Sequence, residues 1–82
     1  MPYITQERRF ALLGNSDEML EGSGELNYQL TRLLVGYLKH HGEKYQTYND
    51  ILGALEGAKL EIYRRKIVPY ENTKISLNGD VY

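Results

Sequence analysis

The stretch TYNDILGALEGAKLEIYRRKIV, residues 47–68, decides the fold of this chain. Its apolar residues recur three and four positions apart, the spacing of one face of an α-helix, at Tyr48, Ile51, Leu52, Leu55, Ala58, Ile62 and Tyr63. Thr47 followed by Asp50 has the form of a capping box with the shorter carboxylate, so we predict that the helix starts there. Pro69 should end or kink it near Val68, because proline disfavours helical geometry in the preceding residue.

A second helix is predicted upstream of this one. From Ser23 onward, apolar residues repeat with helical spacing at Leu26, Leu30, Leu33, Leu34, Tyr37 and Leu38. The helix should end at His41, because glycine, here Gly42, is the preferred residue for a left-handed cap. Two helices joined by a short connection favour an antiparallel helical hairpin.

Shorter elements are predicted before the first long helix. Thr5 can cap a short helix that runs to about Leu13, with Gly14 as its stop. Ser16 can cap another short turn that runs to Leu20. We therefore expect short N-terminal helices ahead of the hairpin.

The C-terminal residues 70–82 are predicted to form a short turn or an extra helical segment, then an Asn78-Gly79 turn and a tail. No internal repeat, low-complexity run or linker divides the sequence. The expected fold is a single all-α domain over residues 1–82.

The composition indicates self-association. A chain of 82 residues buries only about 60 to 65% of the surface that its unfolded form exposes, so its core is marginal. Small folds usually add disulfides, a metal or partner subunits, and this sequence has no Cys and two His. The eight Tyr suit half-buried surfaces, because the ring favours contact and the hydroxyl favours a polar partner. We therefore expect a homo-oligomer, assembled as a helical bundle.

The charge pattern excludes several classes of partner. The formal net charge is −1, without the basic excess that binding to extended nucleic acid requires. No stretch approaches the length of a membrane span, and the N-terminus lacks the features of a signal peptide. The absence of Cys fits a reducing compartment. The expected location is the cytoplasm, with neither membrane nor extended nucleic acid as a partner.

Three glycines fall inside the predicted helices, at Gly36, Gly53 and Gly57. Each costs about 1 kcal/mol relative to Ala, so a close approach of another backbone or of a ligand should offset it. The four-residue spacing of Gly53 and Gly57 puts both on one helix face. Helix crossing within the monomer, a subunit interface and a pocket floor each account for this pattern.

Two pairs of charged residues on the longest helix each have a structural and a functional interpretation. Glu56 and Lys59 fall beside the apolar positions, where they form an ion pair at the edge of the core or a polar site next to Tyr63. Arg64 and Arg65 complement the helix dipole and can pair with a nearby carboxylate, or one of them can bind a phosphate.

Catalytic motifs are absent from the sequence. It has no phosphate-binding glycine loop, nucleophile elbow or Cys/His pair. His40 and His41 fit the C-terminus of a helix better than a metal site, because no other ligands cluster with them. We expect no enzyme activity, no cofactor and no metal.

Several segments together resemble a small uncharacterised family of bacteriophage and bacterial proteins. They are Leu26-Asn27-Tyr28, Thr31-Arg32-Leu33-Leu34, the run from Leu55 to Arg65, Pro69-Tyr70-Glu71 and the ending Asn78-Gly79-Asp80-Val81-Tyr82. The resemblance implies a phage or prophage origin and a domain of unknown function. In size and in its expected homo-oligomeric assembly, the chain is similar to the phage anti-defence sponges, proteins that sequester cyclic nucleotides or ADP-ribose-type signals.

The leading hypothesis is therefore an all-α homo-oligomer that binds and sequesters a phosphate-bearing nucleotide signal without turning it over. The alternative is a structural or regulatory interaction module with no small-molecule ligand. In the first case an Arg would bind phosphate and a Tyr would stack on the base. The predicted ligand-binding residues are Asn27, Tyr28, Arg32, Glu56, Lys59, Tyr63, Arg64, Arg65 and Tyr70.

Overall fold

The computed structural model describes residues 3–13 and 20–82, which contain helices and no strand. The helices are α1 (Gln6–Ala11), α2 (Ser23–His41), α3 (Tyr45–Ile62) and α4 (Val68–Asn78), with a π-helical turn, Tyr63–Ile67, between the last two. The predicted all-α class is confirmed for these residues. The predicted stop at Gly14 and cap at Ser16 lie outside them.

The chain divides by its internal contacts into two units, residues 1–47 and 48–82. The first holds α1, α2 and the first turn of α3, and the second holds the remaining helix. Over the described part of the sequence, the buried residues are Leu12, with no exposed surface, and Thr47, 2% exposed. Neither unit has a deep core, as the size of the chain predicts. The packing of α2 against α3 and the assembly into an oligomer remain predictions.

The ends of α1 and α2 follow local signals in the sequence. The Thr5 hydroxyl accepts a hydrogen bond from the Arg8 N–H at 3.3 Å, as an N-cap does. Helix α1 then ends at Ala11, slightly before the predicted end. Helix α2 begins at Ser23 and ends at His41, both as predicted. Gly42 follows with a φ of 88°, and its N–H donates to the Leu38 carbonyl at 2.7 Å.

The predicted start of α3 is wrong by three residues, because a cap at Thr47 puts the first helical residue at Tyr48. The helix begins at Tyr45, so Thr47 lies within its first turn instead of capping it. Thr47 is almost fully buried. Burial outweighed the local capping signal of Thr47 and Asp50.

Pro69 was predicted to end or kink the long helix near Val68, and the chain is helical on both sides of this point. The π-helical turn precedes the proline, and the Val68 N–H donates to the Tyr63 carbonyl, five residues back. In a regular α-helix the Pro69 ring would clash with the Arg65 carbonyl, and the widened turn relieves that clash. Pro69 sits in the first turn of α4, where its missing N–H costs least.

Helix α4 makes the C-terminal segment helical, which was one of the two predicted alternatives. It ends at Asn78, and Gly79 follows with a φ of 91° and donates its N–H to the Ile75 carbonyl at 2.8 Å. Asn78-Gly79 is therefore a helix end, where a turn was predicted. Of the helices in the described ranges, none combines the length and the apolar character needed to cross a membrane.

Candidate functional site

A bidentate ion pair joins α1 to α2 in the first unit. Arg8 Nε donates to Glu25 Oε2 at 2.8 Å, and Arg8 Nη2 donates to Glu25 Oε1 at 2.6 Å. The hydrogen bonds from Arg8 lower the pKa of the Glu25 carboxyl below its usual value. The Glu25 carboxylate is thus held charged, and it neutralises Arg8. This pair positions α1 beside the start of α2.

Two other arginines approach the ring of Tyr28 in the same unit. The guanidinium carbons of Arg9 and Arg32 lie 5.8 and 5.9 Å from the ring centroid. Arg32 Nη1 donates to the Leu12 carbonyl at 3.3 Å and to the Gln29 amide oxygen at 3.1 Å. Both acceptors are neutral, so these bonds hold the guanidinium in place without cancelling its charge.

A shallow depression of about 390 Å³ runs along α2 beside this cluster and is lined by Tyr28, Thr31, Arg32, Val35, Gly36 and Lys39. Tyr28 and Arg32, two of the predicted binding residues, therefore lie together. Asn27 lies next to them and accepts a hydrogen bond from the Thr31 hydroxyl at 3.1 Å. Arg9 and Lys39 were not among the predicted residues. Arg9 is distant from Tyr28 in sequence, whereas the helical spacing of Lys39 from Arg32 could have indicated it.

The predicted residues of the second unit form exposed ion pairs. Glu61 accepts from Arg64 Nη2 at 2.8 Å and lies 3.7 Å from Arg65 Nη1, as the sequence predicts. Lys59 Nζ lies 3.7 Å from a Glu56 oxygen, so the predicted ion pair is present. All five side chains are more than half exposed. These pairs fit the structural interpretation of the charged groups, since surface ion pairs contribute little and need no ligand to explain them.

The two predicted tyrosines of this unit also have local partners. The Tyr63 hydroxyl donates to a Glu71 oxygen at 3.4 Å, from the π-helical turn to α4. Lys74 Nζ lies 5.6 Å from the centre of the Tyr70 ring, a cation–π distance. Tyr70, Glu71 and Lys74 line one side of an open depression of about 450 Å³ whose other side is the C-terminal tail.

His40 and His41 lie in the last turn of α2, as predicted, with ring centroids 4.8 Å apart. The His41 ring also lies 4.2 Å from that of Tyr37. Within residues 3–13 and 20–82, no three side chains of the metal-binding types gather into a group.

The three helical glycines lie in helices as predicted. Within its own unit, a Cβ added to Gly36, Gly53 or Gly57 would meet no described atom within 4 Å other than those of its own helical turn. Helix crossing within the monomer, a subunit interface and a pocket floor all remain predictions for these glycines.

The most extensive feature of the second unit is apolar surface. Every residue from Leu52 to Tyr82 is exposed. On one side of the long helix the apolar residues at 3.5-residue spacing are Tyr48, Ile51, Leu55, Ala58 and Ile62. In a regular α-helix Ile67 would lie about 140° around from Ile62.

The π-helical turn changes the directions in which the residues after it point around the helix axis. A π turn closes on the fifth residue instead of the fourth and so holds about one residue more per turn, which moves Ile67 toward the direction of Ile62. Tyr70 and Leu77 then follow on the same side. The apolar stripe, defined as Tyr48, Ile51, Leu55, Ala58, Ile62, Ile67, Tyr70 and Leu77, thus continues past Pro69. The sequence prediction did not place Ile67, Tyr70 and Leu77 on this face, because in a regular α-helix Arg65 and Lys66 would follow Ile62 on that side.

Comparison with known proteins gives a family and no function. No curated protein and no solved structure matches the chain. The profile of the family described as "Domain of unknown function (DUF6899)" matches residues 1–81, nearly the whole sequence. The expectation of an uncharacterised family is confirmed, and the chain belongs to the DUF6899 family.

Proposed function

We propose that this protein is an interaction module, in which the apolar stripe of the long helix packs against an amphipathic helix of a protein partner and no reaction takes place. The observation that carries the proposal is the exposure of the second unit. Ile62, Tyr70 and Leu77 are 57, 62 and 72% exposed, although they share one side of the helix. Apolar residues at helical spacing fit a second helix, whose ridges enter the grooves between them.

The second unit, taken by itself, is one run of helical structure with no second element to cover its apolar side chains. An isolated helix without tertiary packing is marginal in water, so a partner would stabilise this one.

The proposal is tested by photo-cross-linking in bacteria that express the protein. A p-benzoylphenylalanine in place of Tyr70, on the stripe, should give a protein adduct on irradiation. The same group in place of Leu60, which is 58% exposed on the far side of the helix, should give none. Absence of an adduct at Tyr70, or equal adducts at both positions, would remove the interaction function.

A second candidate function is favoured by the group of Arg9, Tyr28, Arg32 and Lys39, called here the Tyr28 cluster. In this alternative the protein is a phage-type sponge that sequesters a cyclic nucleotide or an ADP-ribose-type signal in the host cytoplasm, as the class resemblance implies. Arg9, Arg32 and Lys39 would attract the phosphate, and Tyr28 would offer a face for the base. A real ligand at a hundred times its dissociation constant adds about 2.7 kcal/mol of stability. A thermal-shift screen with such nucleotides that shows no stabilisation would remove this candidate.

A further inference from the structure

We infer that the depression along α2 takes a ligand with two or more phosphate groups, one bound by Arg32 beside Tyr28 and another bound by Lys39 at the far end. This inference rests on the second candidate function and names the class of its ligand. It follows from the donors that Arg32 leaves open, from the distance between the two cations and from the open surface between them.

The Arg32 guanidinium is held in place and still has two donors to offer. Its Nη1 donates to the Leu12 carbonyl at 3.3 Å and to the Gln29 amide oxygen at 3.1 Å. Its Nε and Nη2 donate to no residue in the part of the chain that the structure describes. These two atoms form one edge of the planar group, and two oxygens of a phosphate can accept from such an edge together. Arg32 therefore offers a fixed, bidentate phosphate contact.

The cations around the depression are not neutralised within the described ranges. The Glu25 carboxylate is occupied by Arg8, at 2.6 Å, and no acidic residue lines the depression. Neither Arg32 nor Lys39 forms an ion pair with a residue in 3–13 or 20–82. Arg9 adds a third cation from α1. An anion that binds here gains charge-assisted contacts without displacing a carboxylate.

The spacing of Arg32 and Lys39 requires more than one phosphate group. The two residues are seven apart, which puts them on one side of α2 with their Cα atoms about 10 Å apart along the axis. The Arg32 guanidinium lies toward Tyr28 and Gln29, in the preceding turn, and so on the side away from Lys39. One phosphate could contact both only with Lys39 fully extended, at a cost in side-chain freedom. A second phosphate group reaches Lys39 without that cost, which excludes a cyclic mononucleotide.

The surface of α2 between the two cations is open. Val35 and Gly36 line the middle of the depression, whose volume is about 390 Å³. Within the first unit, a Cβ added to Gly36 would meet no described atom within 4 Å other than those of its own helical turn. Glycine weakens a helix relative to alanine, and a ligand lying across this position would offset that loss. The part of the ligand that joins the two phosphates therefore has room over Gly36.

Titration calorimetry with inorganic phosphate, pyrophosphate and tripolyphosphate tests the inference, at low ionic strength because salt screens exposed charges. The affinity should rise from phosphate to tripolyphosphate. Lys39→Ala should weaken tripolyphosphate binding by roughly fivefold and leave phosphate binding unchanged. Lys39 is exposed, so this change should leave the fold intact, as circular dichroism can verify. Arg32→Ala is less suitable, because it also removes the bond to Leu12 that joins α1 to α2.

Lys44→Ala is the matched control. It removes the same charge from the first unit but lies outside the lining of the depression, so it should bind tripolyphosphate as the wild type does. Adenosine triphosphate, titrated without Mg²⁺, distinguishes two sources of the same chemistry. Tighter binding than that of tripolyphosphate identifies a nucleotide polyphosphate, and equal or weaker binding identifies a phosphate chain alone.

Three results would overturn the inference. Equal weakening by Lys39→Ala and Lys44→Ala would mean that net charge, and not the depression, attracts the polyanion. Wild-type affinity of Lys39→Ala for tripolyphosphate would mean that one phosphate group is bound, which retains the second candidate function with a singly phosphorylated ligand. If none of the probes binds the wild-type chain, the inference and the second candidate function both fail.

Discussion

At the scale of single residues, the arginines differ in what neutralises them. Arg8 is paired with Glu25, and Arg64 is paired with Glu61. Arg32 donates to a carbonyl and an amide oxygen, which are neutral. An anionic ligand near Arg64 competes with a carboxylate already in place, whereas near Arg32 it adds a charge-assisted bond that the protein does not already make there. The Tyr28 cluster is therefore the better place for a phosphate.

This difference predicts the behaviour of two alanine variants. If a phosphate-bearing nucleotide binds, Arg32→Ala should weaken it by roughly 1.5 to 3 kcal/mol, about ten- to a hundredfold, through loss of a hydrogen bond to a charged group. Arg64→Ala should change the affinity little. Isothermal titration of both variants, with circular dichroism as the check on folding, measures this. If Arg64→Ala weakens binding more than Arg32→Ala does, the phosphate site lies instead at Arg64 and Arg65 in the π-helical turn.

Residue contacts could be predicted from the sequence only where they are local. The pairs of Glu61 with Arg64 and Arg65 follow from their spacing on a helix. The approach of Arg9 to Tyr28 crosses from α1 to α2, and no periodicity within one helix indicates it. The predicted site residues therefore included Tyr28 and Arg32 but not Arg9.

At the scale of elements, local signals decided some boundaries and packing decided others. The end of α2 was predicted because Gly42 can adopt a positive φ at no steric cost. The start of α3 was not predicted, because Thr47 is buried and local capping preference is weaker than burial. Pro69 was predicted to end or kink the helix, because proline is incompatible with α-helical hydrogen bonding on its N-terminal side. Here a π-helical turn takes the place of that bonding, and α4 follows.

The helical glycines give a prediction at this scale. Gly53 and Gly57 lie on the side away from the apolar stripe, and the sequence alone predicted that they are crowded. Because the space at both is open within the second unit, Gly53→Ala and Gly57→Ala should each raise the free energy of unfolding by up to about 1 kcal/mol. Urea unfolding at fixed protein concentration measures this. Destabilisation by both changes would mean that something covers the glycine face in the assembled protein.

At the scale of the whole molecule, a buried core is small and an exposed apolar surface is large. Leu12 and Thr47 are the buried residues of the described ranges, while most large apolar side chains of the long helix are exposed. A partner could be proposed from the length of the chain and the absence of Cys. The face proposed to meet it could not be identified from the sequence, because the continuity of that face depends on the π-helical turn.

The most direct test of this account is the molar mass of the purified protein at micromolar concentration, measured by sedimentation equilibrium. If the homo-oligomer expected from the sequence forms through the apolar stripe, the wild-type chain and Leu60→Asp should both have a mass greater than that of one chain, whereas Ile62→Asp should have the mass of one. Leu60 and Ile62 are equally exposed, at 58 and 57%, but only Ile62 lies on the stripe, where the interface would bury a charge without a partner. A one-chain mass for the wild type, or an unchanged mass for Ile62→Asp, would contradict self-association through the stripe.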